Sequence, residues 1–192
     1  ELYDSRDEMA VITRNVIWNN EFLNTYTDKE KDILGKYSSS LFTLNTFYTA
    51  NKTIVGRTIK KDTEKFLLDY WNNVVEHMAQ WQELQHREIT KVDLRESYIA
   101  TQSIIIQALG RIGNYYVSHQ SEMKDGLQGL ERINWSRSAK QWYMRAVGKN
   151  GRIITSKKAA LLISNVIKKE LGIALSAEEL NAEEALKKTI KD

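Results

Sequence analysis

Apolar residues recur along most of the chain at three- and four-residue intervals, the period of helices with one buried face. Met9, Ile12 and Val16, with Ile17, set out a first helix that Ser5 can cap and that ends near Asn19 and Asn20. Thr27 with Glu30 has the spacing of a capping box and predicts a short helical turn over TDKEKDIL. After the serine run at 38–40, Leu41, Leu44, Tyr48 and Val55, flanked by Phe47 and Ile54, make the apolar face of a helix that Gly56 closes. Asp62 or Thr63 starts the next, with Phe66, Leu67, Tyr70, Trp71, Val74 and Met78 along one side. Thr90 with Asp93 opens a stretch through Leu94, Tyr98 and Ile99. It is expected to continue through Ile104, Ile105, Ala108, Leu109 and Ile112 to Tyr116. That run is apolar around most of its circumference, which predicts the central buried helix. Gly110 and Gly113 inside it each cost about 1 kcal/mol relative to Ala, so a neighbouring backbone is expected to pack close there.

A short helix over 122–130 leads into a segment, 132–172, that reads as helix, tight loop, helix. Ser136 or Ser138 caps the first, AKQWYMRAV, with Trp142 and Ala146 inward and Arg137, Gln141 and Arg145, spaced by four, on one outward face. Gly148-Lys149-Asn150-Gly151 makes the turn. Ser156 starts the second helix, where Ala159, Ile163, Val166, Ile167 and Leu171 form the buried stripe and Gly172 the stop. Lys157, Lys158, Lys168 and Lys169 are expected to stand exposed at its two ends. Ser176 with Glu179 is a last capping box, before a helix with Glu183–Lys187 and Glu184–Lys188 spacing and a thin apolar stripe.

Charge singles out this segment. From 132 to 169 there are ten Lys and Arg and no Asp or Glu, while the rest of the chain holds 18 basic residues against 25 acidic. A nearly balanced chain has therefore placed its whole positive excess in one stretch, the footprint of a polyanion-binding surface. The plainer reading is a helical pair with basic solvated faces.

Length and composition agree with one all-α domain over 1–192: 192 residues suffice for a hydrophobic core, and the absence of proline suits helices throughout. With no cysteine, disulfides, thiolate nucleophiles and Cys-ligated metal sites are excluded. No apolar run approaches 18 residues, and no signal-peptide core is present. Glu1 in place of an initiating Met leads us to expect a piece of a larger protein.

Signals for catalysis are poor, and the expectation is no enzyme, no cofactor and no metal. Glu83 and His86 have the Glu-x-x-His spacing of di-iron bundles, but such a site needs two of these motifs and two further glutamates. His77, His86 and His119 all have polar neighbours and read as surface or loop histidines. The GKNG turn is not a phosphate-binding Walker loop, because Tyr143 stands at the first glycine position. Its Gly-x-x-Gly spacing does match the loop with which KH modules clamp a nucleic-acid backbone, with Lys149 and Arg152 adding charge. A plain helix-joining turn is the other reading. Trp135, Trp142 and Tyr143 interleave with Arg137, Lys140 and Arg145, a mixture that can stack bases, although a Trp at helical spacing is more often core.

With these residues in view, a spaced set of motifs stands out: Tyr3-Asp4-Ser5-Arg6-Asp7, Leu94-Arg95 with Tyr98-Ile99, and Gln107-Ala108-Leu109-Gly110-Arg111-Ile112-Gly113. It continues with Ile133-Asn134-Trp135-Ser136-Arg137-Ser138, Trp142, Arg145-Ala146, and Asn165-Val166-Ile167-Lys168 with Leu171-Gly172. In this set the chain resembles the C-terminal part of the DndB family, DNA sulfur modification (phosphorothioation) proteins with a DGQHR domain. The naming motif itself is absent, since Gln85-His86-Arg87 follows Glu83-Leu84 instead of Asp-Gly, so the DGQHR domain would lie before Glu1. The resemblance implies a bacterial, cytoplasmic protein that regulates the phosphorothioation gene cluster by binding its promoter. The partners it implies are double-stranded DNA and the absent DGQHR domain, with a second copy of the chain as a further candidate.

Two functions then compete. One is a DNA-binding transcriptional regulator contacting phosphates through Arg137, Lys140, Arg145, Lys149, Arg152, Lys157 and Lys158. The other is a helical interaction module that docks the DGQHR domain or another DNA-modification protein. Within the first reading, Arg145 is the expected base reader, because its planar fork suits guanine O6 and N7.

Overall fold

The computed structural model describes residues 7–35 and 38–192. Its centre is the predicted apolar run. Helix α7 (Ser103–Val117) buries Ile104, Ile105, Ile106, Ala108, Leu109, Ile112 and Tyr116. Helix α3 (Leu44–Val55) lies against it at close range, and the two glycines explain how. A Cβ on Gly110 would stand 3.1 Å from the Ala50 carbonyl oxygen, and one on Gly113 2.7 Å from Ile54 Cγ1. The helix gives up propensity at both positions to let α3 approach. Of the expected apolar face, Leu41, Leu44, Phe47 and Ile54 are buried, and the centre of the buried side is shifted from Tyr48 and Val55 toward the flanking positions. Leu44, Phe47, Ala50, Asn51 and Ile54 are buried, while Tyr48 and Val55 are only partly so.

Helix α1 (Glu8–Trp18) packs on both α3 and α4 (Thr63–His77), and α4 meets α3 through the edge-to-face contact of Trp71 with Phe47. Polar groups between them are satisfied internally: Asn51 Nδ2 donates to Thr13 Oγ1 at 3.0 Å, and Trp71 Nε1 to Asn51 Oδ1 at 2.8 Å. The Tyr70 hydroxyl donates to the Leu109 carbonyl of α7. Burial pushes the Tyr70 phenol well above its ordinary value, so it remains a neutral donor. Phe66, Leu67, Tyr70, Trp71, Val74 and Met78 are all buried, as their spacing required.

Local signals decide most helix starts. Ser5 lies outside the described residues, and the cap of α1 is Asp7, whose carboxylate accepts the Ala10 N–H at 3.0 Å. The capping box of Thr90 with Asp93 opens α6 (Lys91–Ser97). Asn20 caps α2 (Glu21–Tyr26), and α5 (Ala79–Gln85) follows α4 directly. Two predictions fail here. Thr27 caps no helix; Thr27–Asp28 (β1) pairs in parallel with Phe42–Thr43 (β2), and the Asp28 carboxylate accepts the Glu30 and Lys31 N–H groups. The helix predicted from Thr90 to Tyr116 is broken between α6 and α7, where Ile99 N–H donates to the Trp135 carbonyl and Arg137 N–H to that of Ser97. Backbone pairing with a distant segment wins over local propensity.

After α8 (Gln120–Gly126) and a 3-10 turn (Leu127–Arg132), the chain runs irregularly to α9 (Lys157–Leu171) and then α10 (Ala177–Lys191). The class is all-α, with that single two-residue strand pair as the only named sheet among the described residues. Helix α9 packs on α7, and α10 packs on α9. No helix of the described residues is long and apolar enough to cross a membrane.

Candidate nucleic-acid interface

The basic segment is built differently from its prediction. AKQWYMRAV is not a helix: only Lys140–Trp142 make a 3-10 turn, and neither Ser136 nor Ser138 caps anything helical. The indole of Trp142 explains the shape. It is fully buried, donates to the Asn134 carbonyl at 2.7 Å, and stacks on Trp135 with centroids 5.4 Å apart and planes 6° apart. Both tryptophans are therefore core, and neither is available to a base.

Beyond Trp142 the chain turns on itself. Met144 takes a left-handed φ of 62°, and the Trp142 carbonyl accepts N–H bonds from Arg145, Ala146 and Val147. Val147 bridges antiparallel to Ile153, and Gly148 N–H donates to the Arg152 carbonyl at 2.9 Å. Gly148-Lys149-Asn150-Gly151 is thus the tip of a small hairpin and joins no helices. Gly151 sits at φ 77°, where a Cβ would be strained. The Asn150 side chain accepts Arg152 N–H at 3.0 Å and braces the tip.

The seven predicted contact residues divide into two groups. Lys140, Lys149, Arg152, Lys157 and Lys158 are exposed. Among the described residues their side chains make no ion pair or hydrogen bond. Lys157 and Lys158 follow Ser156, whose hydroxyl caps α9 by accepting Ala159 N–H at 3.1 Å.

Arg137 and Arg145 are placed elsewhere. Arg137 is partly buried and donates from Nη2 to the Arg95 carbonyl at 3.2 Å, with its Nε enclosed and unpartnered. Arg145 is 13% exposed in its side chain and its fork is filled. Nη1 donates to Glu183 Oε2 at 2.5 Å and to the Leu162 carbonyl at 2.8 Å, Nη2 donates to Glu183 Oε1 at 2.9 Å, and Nε to the Gln141 carbonyl at 3.1 Å. The expected outward row of Arg137, Gln141 and Arg145 does not exist, and Arg145 offers no open fork to a base. Lys168, expected exposed, is also held inside, with Nζ 2.8 and 2.9 Å from the Glu179 carboxylate.

Glu179 and Glu183 of α10 are therefore part of this region, and sequence spacing alone did not reveal them. Glu183 was expected to pair with Lys187; it turns inward to Arg145 and also accepts Asn165 Nδ2 at 3.1 Å. Burial pushes the Glu179 carboxyl up, but hydrogen bonds from the Lys168 ammonium and the Ser176 backbone N–H outweigh it and hold it down at about 2. Burial likewise raises Glu183, and the Arg145 guanidinium and Asn165 amide bring it below the usual carboxylate range. The detectable signal was the four-residue spacing of Glu179 and Glu183, which puts both on one helical face with Leu186 close by.

The remaining candidates are scattered. Glu83 lies in α5 and His86 is its C-cap. Among the described residues no group of three or more His, Asp or Glu is placed to hold a metal ion. His77 is buried, against expectation, with Nδ1 3.0 Å from Glu131 Oε1. His119 is exposed and stacks on Tyr115 at 4.0 Å.

Compared with known proteins, residues 1–174 match the model of a family described as DndB, DNA-sulfur modification-associated. Neither the curated proteins nor the solved structures gave a match.

Proposed function

The chain belongs to the DndB, DNA-sulfur modification-associated family, and from that premise we propose that it is a DNA-binding regulator of the phosphorothioation gene cluster. On this reading it grips promoter duplex phosphates through Lys140, Lys149, Arg152, Lys157 and Lys158 and performs no catalytic step. The observation that carries the reading is the pair Lys157 and Lys158. They sit in the first turn of a 15-residue helix that has no acidic residue there. Positive charge at that end opposes the helix dipole, so the fold gains nothing from it, whereas a bound phosphate would gain from both the lysines and the free N–H groups. The hairpin tip with Lys149 and Arg152 leads straight into this turn through residues 153–156.

Among the segment's arginines, Arg132 pairs with Glu170, Arg137 with a carbonyl and Arg145 with Glu183. Arg152 has no side-chain partner among the described residues, so it takes the place of Arg145 as the arginine open to a phosphate. Fluorescence anisotropy with promoter duplex across a salt series tests the reading. Five phosphate contacts give log K a slope of about −4.5 against log salt, or roughly a 500-fold loss between 50 and 200 mM. A slope near zero, with tight and salt-insensitive binding to the DGQHR domain instead, would establish the docking module.

A further inference from the structure

We infer that α10 is an internal stand-in for DNA: its Glu179 and Glu183 occupy a second set of phosphate-binding cations, Arg111, Arg145 and Lys168, which duplex DNA claims when the helix lifts away. This inference rests on the function proposed above and concerns the regulation of that same surface.

Geometry supplies the first argument. Glu183 is gripped by both Nη atoms of Arg145, at 2.5 and 2.9 Å, the two-pronged arrangement that guanidinium also makes with phosphate. Glu179 accepts Lys168 Nζ at 2.8 Å and Arg111 Nη2 at 3.3 Å. Three cations thus face two carboxylates, and one positive charge is left over. Arg111 is itself braced by the Ser164 hydroxyl at 3.1 Å and points from α7 toward α10.

The manner in which α10 is held supplies the second. Its buried residues are Glu179, Glu183 and Leu186, so two of the three are acids. Leu180 and Ile190 are large apolar side chains left exposed. Helix α10 packs on α9 above all, and the family match ends at residue 174, before α10 begins. A helix attached mainly through ion pairs is one that competing anions can displace, because a polyanion replaces the very interaction that is lost.

Continuity supplies the third. A cavity of about 340 Å³ is lined by both Lys157 and Arg111, and one of about 170 Å³ by Lys158, Arg145 and Leu186. The open lysines at the start of α9 therefore border the latched arginines directly. A duplex seated on Lys157 and Lys158 would reach Arg111 and Arg145 once α10 moved.

The test uses the full chain with Glu179→Gln and Glu183→Gln together, and a 20-base-pair duplex in a salt series. A control chain with Glu178→Gln and Glu184→Gln makes the same change in net charge at exposed positions. Three added contacts steepen the slope by about 2.7, so the latch variant should lose about 40-fold more affinity between 50 and 200 mM salt than the unmodified chain. The control should match the unmodified slope. Equal slopes in latch variant and control overturn the inference. Hydrogen exchange on the unmodified chain tests it without any substitution: α10 stays closed on the bound chain between 50 and 200 mM salt, and saturating DNA at about 10 mM salt, where the three added phosphate contacts gain enough to outweigh the latch, should speed exchange of the α10 amides; unchanged or slower exchange there overturns it. If no variant binds DNA at low salt, the proposed function itself falls and takes the latch with it. Binding with an ordinary slope and a protected α10 removes the latch alone.

Discussion

The two ends of α9 carry the same residue type and use it in opposite ways. At the start, Lys157 and Lys158 are exposed, face the wrong end of the helix dipole and make no ion pair among the described residues. At the end, Lys168 and Lys169 lie where the dipole favours positive charge, and Lys168 is 14% exposed and clasped by Glu179. Charge placed with the dipole and paired serves the fold. Charge placed against it and left unpaired costs stability, which makes a ligand the better explanation. Sequence counts all four as one basic run; only their surroundings separate holding from binding.

Arg145 belongs with the holding group, and removing it is the strongest way to test the division. Arg145→Ala strands the Glu183 carboxylate, which is 9% exposed in its side chain, and frees the Leu162 carbonyl. Breaking one side of such a pair costs about 3–5 kcal/mol, measured as a lower urea midpoint at unchanged slope. Were Arg145 a base reader instead, the midpoint would hold and the DNA preference would change.

Lys168→Ala is expected to cost less, about 2 kcal/mol, because Arg111 still reaches Glu179. The same carboxyl sets an acid limit on α10. Its value of about 2 in the fold lies below the ordinary 4.5, with Lys168, Arg111 and the Ser176 N–H as the groups facing it. The stability this contributes is complete above about pH 4.5 and is lost as pH falls toward 2. Carbon NMR of the Glu179 carboxyl should show a midpoint near 2 in the unmodified chain, and a midpoint moved up toward 4.5 in Lys168→Ala. An unmoved midpoint would show that Lys168 is not what holds it.

What could be read from sequence follows the same division between near and far causes. The α7 core, the Thr90 and Ser176 boxes, the Ser156 cap and the Gly172 stop are all local, and each stands where its motif put it. The stretch 139–147 reads as a helix in sequence because Arg137, Gln141 and Arg145 imitate a helical face. Its conformation is set by non-local choices: the Trp142 indole on Asn134, Ser97 and Ile99 bonded across to 135–137, and Val147 paired with Ile153. The partner of Arg145 is 38 residues away, beyond the reach of any spacing rule. The candidate surface was legible as a charge excess, and its division into open and latched cations was not.

The smallest effect discriminates most sharply, because it predicts opposite signs. Replacing Lys157 and Lys158 by Glu gives α9 the acidic first turn that α10 already has in Glu178 and Glu179. Each change should stabilise the fold by about 0.3–1 kcal/mol at low salt, since an anion near a helix N-terminus complements the dipole. The Ser156 cap is untouched, because its hydroxyl bonds the Ala159 N–H and not either lysine. DNA binding should move the other way: two phosphate contacts disappear, the salt slope falls by about 1.8, and repulsion weakens binding further. A melting temperature that rises while affinity collapses is the signature of charges kept for a ligand at the expense of the fold. Were Lys157 and Lys158 merely a solvated face, the same substitutions would raise stability and leave the salt slope where it was. Were they structural, both quantities would fall together.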